Sequence, residues 1–412
     1  MSASASTPGP GSRPDESSAP EFTVTTVERV ADVPAPQWDA LAGKDHPFTR
    51  HAFLDALERH GCVGERVGWI PSHILVHADG RLVGATPAYV KLHSQGEFVF
   101  DWSWAEAYAR HGLEYYPKLV SAIPFTPSTG PRLLVHPRAD GPTVRRALAA
   151  GAVEVSKAMQ VSSFHWLFPR ADDADALEIG GLLVRSGCQF HWRNRGYRDF
   201  RDYLDALTSK RRKEIRRERR DAAAAPVEIE IHDGRTATEE HWRAYHALYS
   251  STYDRKWGYP ALTVPFFVDV AESLPEQTLV ILAKRDGRYV AGAHCFVGRD
   301  TLFGRNWGCI EHHRGLHFEM CYYRLIEHCI HRDLERFDAG AQGEHKLLRG
   351  FLPVETRSVH WIQDSRFREA IGRFLDEERT ALGRYRRTMT RHSPYRTPDR
   401  GACPATGGTD DA

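Results

Sequence analysis

The 412-residue sequence lacks three features that would each have assigned it to a broad class of protein. Its seven cysteines are scattered and never arranged as CxxC, which argues against a disulfide framework or a zinc site and favours reduced thiols in the cytoplasm. No stretch reaches 18 apolar residues, so the sequence predicts no membrane span. The net charge is only +1, so no global field would attract the chain to nucleic acid or to a membrane.

The chain does have enough apolar residues for two hydrophobic cores, since 41% of its residues are hydrophobic and 11% are aromatic. The N-terminal segment is rich in Ser, Ala, Pro and Gly without a hydrophobic run, and the C-terminal one is rich in Pro, Gly, Thr and Asp. The predicted organisation is a disordered leader (1–21), a first domain (22–198), a basic linker helix (199–226), a second domain with a C-terminal helix (227–390) and a disordered tail (391–412).

Two segments share a hairpin pattern of apolar strand, Asp-Gly turn and second strand, and Asp286 follows Asp79 by 207 positions. The pairs Tyr115-Tyr116 and Tyr322-Tyr323 have the same offset, each near the start of a predicted helix. Between hairpin and tyrosine pair, 100–104 and 303–307 both resemble aromatic strands. Chance is one explanation, because DGR turns are common; two features at one offset favour an internal duplication.

In the second half, a helix is predicted over 318–332 and a short strand over 334–338. An antiparallel meander followed by a helix and a further strand predicts an α+β domain and differs from the repeated βαβ units of a doubly wound sheet. A C-terminal helix is predicted near 364–379, with Phe367, Ile371 and Phe374 docked on the second half.

The linker contains eight basic residues within positions 210–220. Three interpretations stay open: a solvated face with internal ion pairs, a surface that contacts phosphates, or a membrane-surface helix, although the last lacks a broad apolar face. The residues predicted to hold donor phosphates are Lys210, Arg211, Arg212, Arg216, Arg217 and Arg220.

The segments FVFDWSWA (98–105), YYPKL (115–119), FTP (125–127), QFHW (189–192), the basic run 210–220 and GAQGEHK (340–346) together resemble the FemAB-like family of N-acyltransferases, over about residues 45–380. The resemblance implies an α+β fold of two tandem GNAT-like (acyl-CoA N-acyltransferase) domains. It also implies kinship with enzymes that add amino acids from aminoacyl-tRNA to peptidoglycan precursors, without fixing the substrates.

The segment 338–351 is the strongest candidate site, because it places an acid, a base, an amide and a cation in a glycine-bearing turn after a strand. Acyl transfer to an amine needs a proton acceptor and a group that stabilises the developing oxyanion. Lys346 is predicted for the oxyanion, as the resemblance implies through its pairing with Phe351, and Glu344 or His345 for the proton; Gln342 and Gly343 are predicted to contact substrate. A solvated surface turn is the alternative.

A second segment, 305–319, combines histidines and glutamates without the spacing of a compact metal motif, so no metal is predicted. It is expected to line the acceptor site. The predicted substrate-binding residues outside the turn are Arg305, Asn306, Trp307 and Glu319, with Trp102 and Trp104 from the first half. The stretches 110–113 and 314–317 occupy the place of the GNAT pyrophosphate loop [RQ]xxGx[GA] without reproducing its pattern, which weakens a standard CoA interpretation.

The sequence therefore predicts a cytoplasmic transferase that moves an acyl or aminoacyl group from acyl-CoA or aminoacyl-tRNA to a primary amine on a small molecule or peptide. We expect no tightly bound cofactor, no covalent intermediate and a role in peptidoglycan or specialised-metabolite biosynthesis. The alternative is a non-catalytic protein that binds peptidoglycan or nucleic acid on a transferase fold. The sequence indicates no oligomeric state.

Overall fold

A computed structural model describes residues 21–254, 260–341 and 343–396. The predicted leader lies outside these residues apart from Glu21, as do Gln342 and the predicted tail from residue 397 onwards. Within the described ranges, no helix combines the length and the apolar character needed to cross a membrane.

The strands are β1 (Phe22–Val27), β2 (Trp69–Pro71), β3 (His73–Ala78), β4 (Arg81–Thr86), β5 (Tyr89–Lys91), β6 (Lys118–Ser121), β7 (Leu134–Val135), β8 (Ser163–Leu167), β9 (Leu183–Arg193), β10 (Glu228–Asp233), β11 (Thr278–Arg285), β12 (Arg288–Val297), β13 (Thr301–Cys309), β14 (Arg336–Asp338) and β15 (Leu352–Ile362).

The helices are α1 (Ala35–Ala42), α2 (His51–Arg59), α3 (Trp102–Arg110), α4 (Gly141–Ala158), α5 (Ala171–Ile179), α6 (Phe200–Asp205), α7 (Ser209–Ala223), α8 (Glu239–Asp254), α9 (Val264–Ser273), α10 (Leu316–Phe318), α11 (Arg324–His331) and α12 (Ser365–Arg391). A π-helical segment, Glu319–Tyr323, joins α10 to α11, and a 3₁₀ helix spans Glu344–Arg349.

The two predicted hairpins are confirmed. Strands β3 and β4 pair antiparallel, as do β11 and β12. Both turns place two consecutive residues at positive φ, 49° and 73° at Asp79-Gly80 and 48° and 78° at Asp286-Gly287. Asp-Gly adopts this conformation readily because Gly has no Cβ and Asp tolerates the left-handed region, so the turn residues predict the hairpins.

The element order repeats between the halves, which supports the predicted duplication. Each half has an edge strand, two helices, the hairpin and then a parallel strand pair, β6 with β8 and β13 with β14. In the first half the segment that corresponds to β12 is divided into β4 and β5 around Pro87, which has no backbone N–H to donate. β1, β3, β4 and β7 consequently form a separate four-stranded sheet.

The last strand of each half pairs with the other half. β9 pairs antiparallel with β14, β15 pairs antiparallel with β8, and β9 and β15 pair with each other. The order β10-β11-β12-β13-β14-β9-β15-β8-β6-β5-β2 therefore forms one eleven-stranded sheet. The boundary predicted between residues 198 and 199 does not coincide with a break in this sheet.

A hydrophobic core also crosses between the halves. Phe48 of the first half lies 5.0 Å from Phe296 and 5.2 Å from Phe303 between ring centroids, in edge-to-face contacts. Phe53 contacts Phe266 in the same way, at 5.7 Å. Such pairs stabilise a core beyond their buried area, so the two halves share one packed core.

In the first half, the predictions for the aromatic segment 100–104 and for the pair Tyr115-Tyr116 were both wrong. Residues 102–104 belong to helix α3, where Trp104 and Tyr108, one turn apart, are buried, whereas 303–307 do form a strand. Tyr115 and Tyr116 precede strand β6, whereas Tyr322 and Tyr323 lie in the π-helical segment. Aromatic side chains favour strands only weakly, and packing of the i, i+4 pair decided the conformation of α3.

Three further boundaries differ from the prediction. The helix predicted over 318–332 begins at Leu316 and contains the π-helical segment, and the strand predicted over 334–338 is confined to 336–338. The single basic linker helix is two helices, α6 and α7. The predicted tail begins too early, because α12 continues to Arg391 and Tyr395 is buried, with its hydroxyl donating to the Gly350 carbonyl at 2.8 Å.

Helix α12 docks differently from the prediction. Phe367, Ile371 and Leu375 pack against Tyr108 and other aromatic residues of the first half, whereas the prediction placed this helix on the second half. Phe374, predicted to dock, is 42% exposed. The i, i+4, i+8 spacing of the packed residues defines the buried stripe, and Phe374 falls outside it.

Candidate functional site

The candidate site is the turn that follows β14. The strand ends at Asp338, the 3₁₀ helix begins at Glu344, and Gly340 between them has φ 81°. Glycine adopts this conformation at no steric cost, and the resulting turn lets the Gly340 N–H donate to Asp338 Oδ1 at 2.9 Å. The turn thereby folds back beneath its own strand.

Lys346 is buried within this turn, at 3% exposure. Its Nζ donates to the carbonyl oxygens of Ala339 and Gly340, both at 2.7 Å. Burial lowers the pKa of Lys346 to about 8, against the opposing effect of the Asp338 carboxylate. An ammonium group has three N–H donors, so this one retains a third beyond its two carbonyl partners.

The other predicted members of the turn lie in different surroundings. Glu344 is exposed and accepts from the hydroxyl of Tyr385 on α12 at 2.7 Å. His345 is also exposed and lies 2.9 Å from the Tyr322 hydroxyl, and its partial desolvation, with Arg349 and Lys346, lowers its pKa. Gly343 has φ 113° and precedes the 3₁₀ helix, and Gln342 lies outside the described residues. The structure therefore does not bring Glu344 to the Lys346 ammonium.

A small cavity of about 100 Å³ opens where β13 and β14 separate. The two strands are in register up to Phe303 and Asp338 and then diverge. The cavity is lined by three predicted substrate-binding residues and by parts of both neighbouring elements, namely Arg305, Asn306, Trp307, His317, Tyr322 and Ala339. Because Ala339 accepts from Lys346, this cavity adjoins the candidate turn.

Arg305 and Glu319, both predicted to bind substrate, already have partners within the protein. Arg305 donates from Nη2 to the Phe125 carbonyl and, at 3.1 Å, to Thr126 Oγ1, and so connects β13 to the first half. Glu319 is 5% exposed and accepts two hydrogen bonds from Arg219 of α7 at 2.9 and 3.0 Å. Glu319 therefore holds α7 in place, and its carboxylate does not face an open cavity.

The two predicted tryptophans differ in exposure. Trp102 is 57% exposed and lies 4.9 Å from the ring of Phe100, whereas Trp104 is 3% exposed and packs against His360 at 5.0 Å. A groove of about 300 Å³ between β9, β15, α12 and residues 98–100 reaches Ala341 of the candidate turn. Trp104 is thus a core residue, and Trp102 lies on the surface.

Helix α7 divides the predicted phosphate-binding residues into two groups. Arg211 pairs with Glu214 at 2.5 Å and Arg212 with Asp205 at 2.8 Å. The other four predicted residues are exposed and have no ion pair within the described part of the chain, and the same is true of Lys213, which was not predicted. The five residues are Lys210, Lys213, Arg216, Arg217 and Arg220. We call these five residues the α7 cationic ridge.

The opposite face of α7 covers the start of α10. Gly315, the residue before α10, has φ 79°, and a Cβ built on it would lie 2.6 Å from the Glu218 carbonyl oxygen. Arg314 pairs with Asp221 at 3.0 Å, and Arg349 pairs with Glu218 at 2.8 Å. The helix N-terminus that follows β13 is therefore packed against the protein's own backbone.

Sequence reasoning assigned no role to Asp338, although it is the first residue of the predicted motif. The structure buries it at 2% exposure at the end of β14. His191 of β9 lies 3.5 Å from its Oδ1, a contact that depends on the strand exchange. The sequence signal for Asp338 was its position at the end of a predicted strand, directly before a glycine-bearing turn.

One group of potential metal ligands comes together among the described residues, although no metal was predicted. Glu230, His232 and His241 place their ligand atoms within 4.8 Å of one another. His241 Nδ1 accepts from the Thr238 N–H at 2.9 Å, which leaves the proton of a neutral imidazole on Nε2. A metal would need that nitrogen unprotonated, so this arrangement does not suit a metal centre.

Each half contains a pair of parallel strands with a helix between them in the chain, β6 with β8 and β13 with β14. This repeated arrangement defines a tandem GNAT-like fold, and the candidate turn follows β14. The model of the FemAB-like family, described as peptidoglycan biosynthesis/recognition, matches residues 29–397. The chain belongs to the FemAB-like family. The predicted family and the predicted α+β fold class of two tandem GNAT-like domains are both confirmed.

Among solved structures, the chain is similar to FemX, with a TM-score of 0.51 and 12% identity over 84% of this chain and 100% of that one. A C-terminal domain of a putative lysylphosphatidylglycerol synthetase from Agrobacterium fabrum has a TM-score of 0.49 and 10% identity over 84% and 96%. A tandem GNAT protein from the clavulanic acid biosynthesis pathway has a TM-score of 0.42 and 12% identity over 83% and 98%. No curated protein matches significantly.

Proposed function

We propose that this protein is a transferase that moves an aminoacyl group from aminoacyl-tRNA to a primary amine in peptidoglycan biosynthesis. The observation that carries the proposal is the buried ammonium of Lys346, held beside the point where β13 and β14 separate. Family membership supports the pathway, because the family description is peptidoglycan biosynthesis/recognition. Acyl-CoA is the second donor considered.

Lys346 is suited to stabilising the oxyanion that forms when an amine attacks a carbonyl carbon. Its two bonds to the Ala339 and Gly340 carbonyls fix the ammonium before the reaction begins. A charge that is already oriented in a site shielded from water stabilises a transition state more than one that must reorient. The amine nitrogen forms the new C–N bond, the ester C–O bond breaks, and the proton lost by the amine reaches the leaving oxygen.

His345 fits the role of proton acceptor better than Glu344. Its pKa is lowered, so the imidazole is neutral at pH 7 and can accept a proton. Glu344 is turned towards Tyr385 at the surface. In this proposal His345 relays the proton from the amine, and Tyr322, at 2.9 Å, orients its ring.

The covered start of α10 favours aminoacyl-tRNA over acyl-CoA. A helix N-terminus binds phosphate through free backbone N–H groups, and here α7 packs against Gly315, the residue that precedes that terminus. The α7 cationic ridge, on the exposed face of the same helix, offers five charges suited to a phosphate backbone. Arg349 of the 3₁₀ helix contacts Glu218 on the other face of α7, so this helix packs against the segment that contains Lys346.

The donor is tested by supplying the full chain with aminoacyl-tRNA or with acyl-CoA, together with a panel of primary amines, and detecting the acylated amine by mass spectrometry. Product from aminoacyl-tRNA alone is the expected result. Product from acyl-CoA alone would show that acyl-CoA, and not aminoacyl-tRNA, is the donor. Specific binding of tRNA or of peptidoglycan fragments without turnover of either donor would favour the non-catalytic binding protein.

The tRNA interface is tested by the salt dependence of tRNA binding. Replacing Arg216, Arg217 and Arg220 with Gln should reduce the slope of log K against log salt by about 0.7–0.9 for each phosphate that the protein no longer neutralises. The matched control removes three exposed charges from α12, at Arg368, Arg384 and Arg387, and should leave the slope unchanged. Equal slopes for the wild-type protein and the ridge variant would reject the α7 interface.

A further inference from the structure

The seam between the halves contains a cleft of about 400 Å³ that the predictions did not use. His46, Thr129, Gly130 and Arg170 line it from the first half. The second half contributes residues around the ends of β13 and β14, with Asp338 among them. The cleft thus meets the candidate turn at its first residue.

Asp338 lines this cleft and has a buried carboxylate oxygen without a hydrogen-bond partner among the described residues. Its Oδ1 accepts from the Gly340 N–H at 2.9 Å, and Oδ2 has no hydrogen-bond partner among the described residues. His46 Nδ1, on the opposite half, is likewise buried without a partner within the described ranges. Leaving a buried polar atom unsatisfied is unfavourable, so two such atoms in the lining of one cleft indicate a ligand with polar hydrogens.

Four carboxylates and three guanidinium groups line the cleft. Arg299 pairs with Asp45 at 3.5 Å and Arg336 with Asp300 at 2.8 Å, both within the lining. Arg170, the third guanidinium, contacts Asp173 outside it at 3.4 Å. Two carboxylates of the lining, Asp338 and the exposed Glu335, then have no guanidinium of their own in the cleft.

The histidines do not neutralise Asp338. Burial lowers the pKa of His191, which lies 3.5 Å from Asp338 Oδ1, and burial lowers the pKa of His46 to about 3. Both rings are therefore neutral at pH 7. Lys346 and Arg305 are close enough to influence Asp338 but make no ion pair with it within 4.0 Å among the described residues.

We propose that this cleft binds the acceptor substrate and that Asp338 Oδ2 receives the hydrogen bonds of its primary ammonium group. The inference rests on the proposed amine-acceptor chemistry and adds the place where the amine is held. An ammonium bonded to Asp338 lies beside the turn whose Ala339 and Gly340 carbonyls hold Lys346.

Binding is measured with the full chain and with benzylamine, which carries an ammonium at neutral pH, by ligand-observed NMR; benzoate is the charge-reversed probe. The wild-type protein should bind benzylamine about tenfold or more tightly than Asp338→Asn does, since the variant removes the charge and keeps the shape. Benzoate should bind the wild-type protein no more tightly than it binds Asp338→Asn. Equal benzylamine affinity in the two proteins would overturn the proposal.

Glu335→Gln is the matched control, because it removes one carboxylate from the same cleft at an exposed position. It should weaken benzylamine binding less than about threefold. Equal losses in both variants would mean nonspecific attraction of cations and would overturn the role of Asp338. Benzylamine binding is measured without any donor. A failure of the Asp338 proposal can therefore be distinguished from a failure of the proposed transfer reaction.

A wild-type measurement covers the case in which Asp338→Asn does not fold. Crystals soaked with 4-bromobenzylamine locate the bromine by its anomalous scattering. The ammonium is expected within hydrogen-bond distance, about 3 Å, of Asp338 Oδ2. Bromine outside the cleft, or in the cleft with the ammonium turned away from Asp338, would overturn the assignment.

Discussion

Lys118 in the first half and Lys346 in the second are both buried near the parallel strand pair of their half, and their direct partners differ. Lys118, at the start of β6, is fully buried and pairs with Glu97 at 2.9 Å and with Asp101. Among the described residues, the direct partners of Lys346, after β14, are two carbonyl oxygens, both at 2.7 Å. The same ammonium group is thus neutralised by contact in one half and only at a distance in the other.

The pKa values of the two lysines move in opposite directions. Burial alone would lower the pKa of Lys118, but Glu97 and Asp101 outweigh it and raise the pKa. Burial lowers the pKa of Lys346 to about 8. A paired buried charge is stable once formed, whereas an unpaired one can respond to a negative charge that develops nearby. Lys118 is therefore treated as structural, and we place the chemistry at Lys346 because its turn also adjoins the small cavity at β13.

The largest expected effect is on stability, from Lys118→Met. The variant leaves Glu97 and Asp101 buried without their cation, so we expect the free energy of unfolding to fall by about 3–5 kcal/mol. Chemical denaturation monitored by far-UV circular dichroism measures it. A loss below about 1 kcal/mol would show that water or other groups already solvate the two carboxylates.

Lys346→Met is the counterpart and should affect activity more than stability. Loss of a fixed oxyanion donor should lower kcat of the proposed transfer about 10²–10³-fold. The free energy of unfolding should change by less than about 2 kcal/mol, because removal of an unpaired buried charge offsets the two missing hydrogen bonds. Full activity in a folded Lys346→Met protein would remove Lys346 from the mechanism.

The pH dependence of stability should separate the two lysines. Between about pH 8 and 10.5 the unfolded chain keeps the Lys346 proton while the folded protein loses it, so wild-type stability should rise relative to Lys346→Met, by on the order of 3 kcal/mol. Below pH 8 the difference should be constant. The stabilisation by Lys118 is present throughout this range and is lost only when pH rises through its raised pKa.

Denaturant unfolding of both proteins at several pH values measures this difference, and the other titrating groups cancel in the comparison. A difference that stays flat from pH 7 to 10.5, or that falls, would contradict a lowered pKa at Lys346.

The smallest effect is expected at Glu344. Because its carboxylate is exposed and accepts from Tyr385 on α12, Glu344→Gln should change kcat less than about threefold and stability by about 0.5 kcal/mol or less. Steady-state kinetics and thermal unfolding measure the two quantities. A hundredfold loss of kcat with unchanged stability would indicate that Glu344, and not His345, is the proton acceptor.

The sequence was informative where local chemistry determines structure. The Asp-Gly turns at 79–80 and 286–287 require left-handed residues, and both hairpins formed as predicted. The glycine-bearing turn after β14 was also predicted, because it is a local pattern, and the role of Lys346 within it stays a prediction. Aromatic content was a poor guide, as at Trp104, because the same residues suit a strand or the buried face of a helix.

Long-range partners were beyond sequence reasoning. The ion pairs of Lys118 lie 17 and 21 positions away, and the contact of Asp338 with His191 exists only because β9 crosses into the other half. Likewise, the charges of α7 are alike in sequence, and only packing decides that Arg219 faces Glu319 while Arg217 faces solvent.

The exchange of β9 and β15 has a mechanical consequence. The last strand of each half pairs with strands of the other half. The two halves therefore cannot rotate about a hinge without breaking the backbone hydrogen bonds between these strands. Access to the seam must therefore come from short connections at its rim, such as residues 339–341 after β14, and the width of the seam is fixed when the chain folds.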